Sequence, residues 1–152
     1  MTILINLFLM NYGFRILEFN EKQKMRILLD THTFIWADLE PHKLSEICRD
    51  LLLDSRNILL LSMVSVWEIQ IKLQLGKLTL RLPLMQLIAE QRQVNRLQLL
   101  PIELAHIVAL EGLPNYHRDP FDRLLIAQSI AEGIPIVSDD HLFDAYPIQK
   151  IW

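Results

Sequence analysis

Two acidic residues stand at positions where α/β proteins often carry out chemistry. Asp30 directly follows the apolar run of residues 27–29, and Asp140 follows the run of residues 134–137. Open α/β sheets place their sites beyond the carboxyl ends of the strands, so both carboxylates are expected at one edge of a sheet. Aspartate also ends strands for a local reason, because its side chain bonds to nearby backbone amides.

Glu68 lies on a segment of helical period. Within and just before residues 65–75, apolar side chains recur at the spacing of a buried helical stripe, at Val64, Trp67, Ile71 and Leu75. Glu68 falls within that stripe, and a carboxylate on an inward face is costly unless it is paired or binds a metal. An ordinary surface salt bridge to Lys72, one turn further on, is the alternative.

Residues 117–123 combine a helix start with charged side chains. Asp119 is a natural N-cap and Pro120 suits the first helical position, so Asp119 is assigned mainly to capping. Asp122 could return a capping-box-like bond, but apolar residues three, four and eight positions later place its side chain on the inward face. The basic side chains beside it, which either hold a phosphate or balance the acids, are His117, Arg118 and Arg123.

Together, the four carboxylates favour a hard metal ion. Convergence of Asp30, Glu68, Asp122 and Asp140 would cause strong repulsion unless a multivalent cation neutralised them. With oxygen ligands alone, the suitable ions are Mg²⁺ or Mn²⁺ rather than Zn²⁺. Such a site polarises a phosphodiester and lowers the pKa of bound water. His32, two residues after Asp30, is either a substrate contact or a turn histidine.

The elements that must position these residues alternate between short apolar runs and longer segments of helical period. The predicted strands cover residues 27–29, 58–61, 97–102, 134–137 and 148–151, and the predicted helices cover 45–53, 65–75, 84–94, 104–110 and 119–132. Glycines follow two of these helices directly, at Gly76 and Gly133, where a left-handed residue often ends a helix. The alternation predicts one α/β domain with a central parallel sheet covered by helices on both faces.

Length, charge and cysteine content narrow the function classes. The 152 residues fit one domain, and a 51% hydrophobic, 22% charged composition excludes disorder. Because 15 Lys+Arg face 18 Asp+Glu, extensive electrostatic wrapping of nucleic acid is disfavoured, and a short substrate contact is not. Cys48 is the single cysteine, which excludes an intrachain disulfide and a Cys-based zinc site and favours a reducing, cytoplasmic setting.

Residues 1–24 are expected to be an N-terminal extension of a domain that covers residues 25–152. The apolar run of residues 1–10 is too short to span a bilayer, and it lacks the basic start and cleavage site of a signal peptide. A polar run, residues 20–24, then precedes Met25, which is interpreted as the natural start or the edge of the fold. A short anchor or an added strand is the alternative.

Four blocks of the sequence resemble the PIN-domain family, and most closely its VapC-like toxins. The blocks are LLDTH at residues 28–32, SVWEI at 65–69, RDPFDRLLIAQ at 118–128 and VSDD at 137–140. The likeness covers residues 25–152. It implies a metal site of four acids, Asp30, Glu68, Asp122 and Asp140, with Ser138 at the family's hydroxyl position. Asp119 and Arg123 are interpreted as supporting residues, and His32 and Arg118 as substrate contacts.

The resemblance also implies a function. It indicates a Mg²⁺-dependent endoribonuclease, a homodimer, and inhibition by a small antitoxin that doubles as a DNA-binding repressor. The surface expected to dock that partner is Trp36 with the helix at residues 47–53, which is richer in apolar residues than one buried face requires. The alternatives are a metal-dependent nuclease acting on structured DNA and an inert binding domain. An Asp-nucleophile phosphatase is disfavoured because His32 stands where its second aspartate would be.

Overall fold

Five parallel strands form the central sheet of the computed structural model, which describes residues 24–152. The strands are β1 (Arg26–Leu29), β2 (Ile58–Ser62), β3 (Gln98–Leu100), β4 (Ile136–Val137) and β5 (Lys150–Ile151), in the order β3-β2-β1-β4-β5. The predicted parallel α/β sheet is confirmed. Apart from Lys24, the expected extension over residues 1–24 lies outside the described residues.

Six α-helices connect these strands within residues 24–152. They are α1 (Thr31–Leu39), α2 (Glu46–Leu53), α3 (Met63–Gln74), α4 (Leu84–Val94), α5 (Leu104–Ala109) and α6 (Pro120–Glu132). Helix α1 was not among the predicted helices; the other five lie where the sequence places them, within two residues at most bounds. Over the same residues, three short 3₁₀ segments, Pro41–Lys43, Leu110–Gly112 and His141–Ala145, complete the connections.

Alternating side chains of the strands feed two apolar cores, one on each face of the sheet. Ile27 and Leu29 of β1 lie in the core formed with α1, α2 and α4, whereas Leu28 lies in the core formed with α6. Because successive side chains of a strand point to opposite faces, an unbroken apolar run is the pattern of a strand buried on both sides. The predicted covering of both faces by helices is therefore confirmed.

Local capping fixes where the helices next to the acids begin and end. The Ser45 side chain accepts a hydrogen bond from the Cys48 amide at the start of α2, and Asp119 does the same from the Phe121 amide at the start of α6. Gly133 ends α6 in the left-handed conformation, with φ of 63°, which only glycine adopts without strain. The Asp119 cap fixes the first turn of α6, which carries Asp122.

One prediction about α3 is wrong. The predicted stripe is buried only at its first residue, since Val64 is buried whereas Trp67 and Leu75 are 58% and 61% exposed. The buried face is instead that of Val64, Glu68 and Ile69, together with Ser65. Periodicity identifies an apolar face but not whether the core or the surface receives it. Glu68 belongs to this buried face, as predicted, and its carboxylate contacts Thr31 at the start of α1.

The chain reverses its direction of progress across the sheet between β1 and β4. It runs outward from β1 to β2 and β3, returns to add β4 beside β1, and continues to β5. Such a switch point opens a crevice at the carboxyl ends of the two central strands. Asp30 follows β1 and Asp140 lies three residues after β4, so both border this crevice. None of the helices within residues 24–152 has the length and hydropathy needed to cross a membrane.

Candidate metal centre

Asp30 is the most deeply buried of the four acids, with 2% of its surface exposed. One carboxylate oxygen accepts the His32 amide at 2.6 Å and thereby caps α1, and the other accepts the Ser138 hydroxyl. Burial raises the pKa of Asp30 above its ordinary value, although the hydrogen bonds from Ser138 and His32 oppose that rise. The carboxylate is thus fixed in place and costly to ionise.

Glu68, on α3, is held in place by two donors. The Thr31 hydroxyl donates to its Oε2 at 2.6 Å, and the Lys72 ammonium lies 2.6 Å from its Oε1. The Ser65 hydroxyl lies 2.9 Å from that of Thr31 and fixes it in turn. Since Thr31 directly follows Asp30, the first and second acids are joined by a single residue.

Asp140 is tied to the same group of residues from the β4 side. Its backbone amide donates to the Ser138 hydroxyl at 3.1 Å, so Ser138 bridges Asp30 and Asp140. Its Oδ1 accepts the Leu142 amide at 2.8 Å and its Oδ2 lies 2.9 Å from His117 Nε2. Burial opposes ionisation here, but the hydrogen bonds outweigh it and hold the pKa of Asp140 below its ordinary value.

Among the four acids, Asp122 has the fewest contacts that stabilise its negative charge. Its Oδ2 lies 3.2 Å from His117 Nε2. Burial, followed by the negative charge of Asp119 and, more weakly, of Asp30 and Glu68, raises the pKa of Asp122 to about 7, and His117 only partly opposes the rise. The charges of Asp30 and Glu68 therefore act on Asp122 only weakly, and within residues 24–152 the group of ligand atoms within 4.8 Å of one another that includes Asp122 contains neither of them.

His117 joins the last two acids and is the residue whose role the sequence left open. Ligand atoms of His117, Asp122 and Asp140 all lie within 4.8 Å of one another, as in a metal site. However, His117 Nδ1 accepts the Asp119 amide at 3.1 Å, so the ring proton is on Nε2. A ring with its proton there donates hydrogen bonds to carboxylates and does not ligate metal through that atom. His117 is therefore the donor that draws Asp122 and Asp140 together.

The remaining residues singled out by sequence lie around this centre. Asp119 caps α6, and His32 is 54% exposed with its Nδ1 3.9 Å from Asp30. Arg118 is exposed beside them. The Arg123 guanidinium donates to the carbonyls of Leu113, Pro114 and His117. Arg123 thus supports the loop that carries His117 and does not face a carboxylate.

The contacts form a continuous path through all four acids. It runs from Glu68 through Thr31 to Asp30, through Ser138 to Asp140, and through His117 to Asp122. Asp30 and Asp122 both resist ionisation in this arrangement. Burial is the main cause of both shifts, and a bound cation would stabilise the charged form of the two carboxylates.

The raised pKa of Asp122 predicts how the metal-free protein responds to pH. An acid whose folded pKa lies near 7 and whose unfolded pKa lies near 4 keeps its proton longer when folded. Stability is therefore lost as pH rises from about 4 to 7. In EDTA, Asp122→Asn should be more stable than the wild type at pH 8, by on the order of a few kcal/mol, and the difference should shrink at pH 5.

Thermal unfolding of both proteins in EDTA at pH 5 and pH 8 measures this difference. Asp50→Asn, at an exposed position on α2, is the matched control and should change neither value. An Asp122→Asn protein that gained no stability at pH 8 would show that the charge of Asp122 does not destabilise the folded protein.

Comparison with known proteins places this arrangement in a family. Residues 27–149 match the PIN domain family. Among solved structures, the VapBC2 complex of Rickettsia felis bound to a promoter DNA fragment is similar at TM-score 0.60 and 18% identity, over 84% of this chain and 98% of that one. FitAcB of Neisseria gonorrhoeae is similar at TM-score 0.57 and 18% identity, over 83% and 96%.

DNA-bound VapBC of Salmonella typhimurium is similar to the same degree, at TM-score 0.57 and 17% identity, over 84% of this chain and 97% of that one. At such identities the likeness concerns the fold. A comparison with curated protein sequences gives no match. The family match extends over most of the chain and includes all four acids of the crevice, and the chain therefore belongs to the PIN domain family.

Proposed function

We propose that this protein is a metal-dependent endoribonuclease of the bacterial cytoplasm and the toxin of a toxin–antitoxin pair. The observation that carries the proposal is the path of contacts that connects Asp30, Glu68, Asp122 and Asp140 around the switch point of a PIN domain. The similarity of the fold to VapBC and FitAcB structures supports the toxin role.

The donor set fits Mg²⁺ or Mn²⁺. All four candidate ligands are carboxylates, and hard oxygen ligands suit these ions. The pKa of Asp122, near 7, marks negative charge that the protein itself leaves uncompensated. His117 adds no nitrogen ligand, because its Nε2 carries the ring proton. These features favour a hard divalent cation over Zn²⁺.

A bound divalent cation would supply Lewis-acid polarisation of the phosphodiester and a water acidic enough to act near neutral pH. The protein's part is to hold four carboxylates in one orientation. Ser138 fixes Asp30, Thr31 fixes Glu68, and His117 fixes Asp140 and Asp122. Such preorganisation means that the ligands do not have to be reordered when the site binds its cation or its substrate.

The test is cleavage of defined substrates by purified protein. Single-stranded RNA should be cut in Mg²⁺ or Mn²⁺ and left intact in EDTA, and calorimetry should detect binding of the ion at millimolar concentration or below. Matched single-stranded and duplex DNA should resist. Cutting of DNA in place of RNA would make the protein a DNA nuclease, and RNA binding without cleavage would make it a binding domain.

We also propose that two copies associate through the outward face of α3. Trp67 packs edge-on against Phe121 at 5.2 Å between ring centroids, and Met63 and Leu75 continue the exposed apolar surface along the helix. This apolar face needs cover in water. A second copy, presenting the same face, supplies it with a symmetric interface.

Trp67→Glu should convert the dimer to a monomer. The side chain is 58% exposed, so the fold should tolerate the charge, whereas a two-fold interface would bring two carboxylates together. Sedimentation of the wild type and the variant measures the change. Leu104→Glu, at a 78% exposed apolar residue of α5, is the control and should remain dimeric. A wild type that sediments as a monomer would exclude the interface.

This protein has an apolar groove to which the expected antitoxin could bind. Its walls come from α1, α2 and α4, it encloses about 230 Å³, and its lining includes Phe34, Leu52 and Leu53. Leu53 is 80% exposed and Ile47 is 53% exposed, so α2 presents apolar side chains to solvent as well as to the core. Such a groove has room for apolar side chains of an amphipathic antitoxin helix. Trp36, which the sequence also suggested for the docking surface, packs beside Trp152 with ring centroids 6.0 Å apart.

A further inference from the structure

Lys72 occupies an unusual place for a surface lysine. Its ammonium lies 2.6 Å from Glu68 Oε1, with the Glu68 side chain 9% and the Lys72 side chain 30% exposed. An ordinary pair one helical turn apart has both partners in solvent and contributes little. Here the glutamate faces inward and is one of the four candidate metal ligands. The Lys72 ammonium would therefore compete with a bound metal ion for the Glu68 carboxylate.

Other basic side chains around the centre have different partners. Arg123 donates to backbone carbonyls, and Lys150 pairs with Asp144 and the Asp140 carbonyl. Among the lysines and arginines of residues 24–152, Lys72 is the one whose salt bridge is to one of the four acids. Lys72 is therefore a flexible cation in direct contact with the carboxylate centre.

We propose that Lys72 exchanges partners during function, from Glu68 in the metal-free site to a phosphate oxygen of the RNA once a divalent cation has taken Glu68. This inference rests on the proposed function. Glu68 Oε1 cannot keep an ammonium and a divalent cation equally close, since like charges at such distances repel strongly. The lysine stem has several rotatable bonds and three N–H donors, so the ammonium can turn to the incoming phosphate.

If Lys72 exchanges partners in this way, loss of its charge should have opposite effects on Mg²⁺ binding and on RNA binding. Removing the Lys72 charge removes a competitor for Glu68, so Mg²⁺ should bind the free protein more tightly. The same change removes a phosphate contact, so RNA should bind more weakly. If Lys72 only positions the Glu68 side chain, a different result is expected. Its loss would weaken Mg²⁺ binding and would leave the salt dependence of RNA binding unchanged.

The experiment uses the full chain with Lys72→Met, which keeps the length of the stem, and Lys72→Arg, which keeps the charge. Calorimetry measures Mg²⁺ binding without RNA. Fluorescence anisotropy measures binding of a 5′-labelled single-stranded RNA in Ca²⁺ at several salt concentrations. Lys77→Met, at an exposed lysine just beyond α3, is the matched control and should change neither equilibrium.

For Lys72→Met we expect tighter Mg²⁺ binding and RNA affinity reduced about tenfold, with the salt slope smaller by about 0.7, the share of one phosphate on a single strand. Lys72→Arg should restore RNA binding. Weaker Mg²⁺ binding by Lys72→Met, or unchanged RNA affinity and slope, would overturn the exchange. A wild type that neither binds nor cuts RNA would instead refute the proposed function.

Discussion

Asp30→Asn should reduce RNA cleavage by about 100-fold or more while the protein stays folded. The substitution keeps the shape of the side chain and removes its charge. The asparagine oxygen can still accept the His32 amide that caps α1, and the Ser138 hydroxyl can turn to accept from the new amide. The loss should therefore be one of cation binding and not of structure.

Initial rates on single-stranded RNA in Mg²⁺, compared at equal protein concentration, measure the loss. Circular dichroism and thermal unfolding in EDTA establish that the variant is folded. Since burial raises the pKa of Asp30, removal of the charge should leave the metal-free protein at least as stable as the wild type. Asp50→Asn should cleave normally. An Asp30→Asn protein with most of its activity would reduce Asp30 to the N-cap of α1.

Most of the fold follows from patterns that act locally along the chain. Apolar runs mark the strands because both sheet faces are covered, and the caps at Ser45 and Asp119 mark helix starts. Helix α1 escaped prediction because its buried residues, which include Thr31, Thr33 and Phe34, do not form a clear apolar stripe. Its position is set by packing between β1 and the neighbouring helices.

In the candidate site, too, local sequence patterns indicate some residues, whereas the contacts between them depend on the tertiary fold. Asp30, Glu68, Asp122 and Asp140 stand at strand ends or on inward helical positions, so sequence could nominate them. Of the residues that connect them, Ser138 was indicated by the family resemblance and His117 by its place beside Asp122, but their partners could not be predicted, and Thr31 was not singled out. Thr31 reaches Glu68 across 37 positions and His117 reaches Asp140 across 23, and each hydroxyl or ring is unremarkable by type. The Thr31 hydroxyl and the His117 ring become donors to particular carboxylates only because the fold brings their elements together.

Expression of this chain alone in a bacterium should arrest growth, and co-expression of the neighbouring gene's product should restore it. The arrest follows from the proposed RNA cleavage, so the Asp30→Asn protein should be harmless at the same level of expression. The rescue follows from the groove between α1, α2 and α4, which offers an apolar seat for a helix of the partner. Harmless expression of folded wild type would contradict the toxin role.

Inhibition needs more than a docked helix, because the carboxylates must be denied their cation. We expect an arginine of the partner to enter the carboxylate pocket, since a guanidinium can pair with two carboxylates at once and keeps its charge at every working pH. Asp122, with a pKa near 7, and Asp30 both gain from such neutralisation. The partner should therefore stabilise the metal-free protein and compete with Mg²⁺ in a calorimetric titration.

Leu53→Glu separates toxicity from neutralisation. The side chain is 80% exposed and lines the groove, so the charge should spare the fold and the nuclease activity but cost the partner its apolar contact. Cells making this variant should arrest even when the partner is co-expressed. Val108→Glu, at a 53% exposed residue of α5, should remain fully rescued. Full rescue of Leu53→Glu would place the antitoxin on another surface, whereas loss of rescue with both variants would mean that any added charge disturbs the complex.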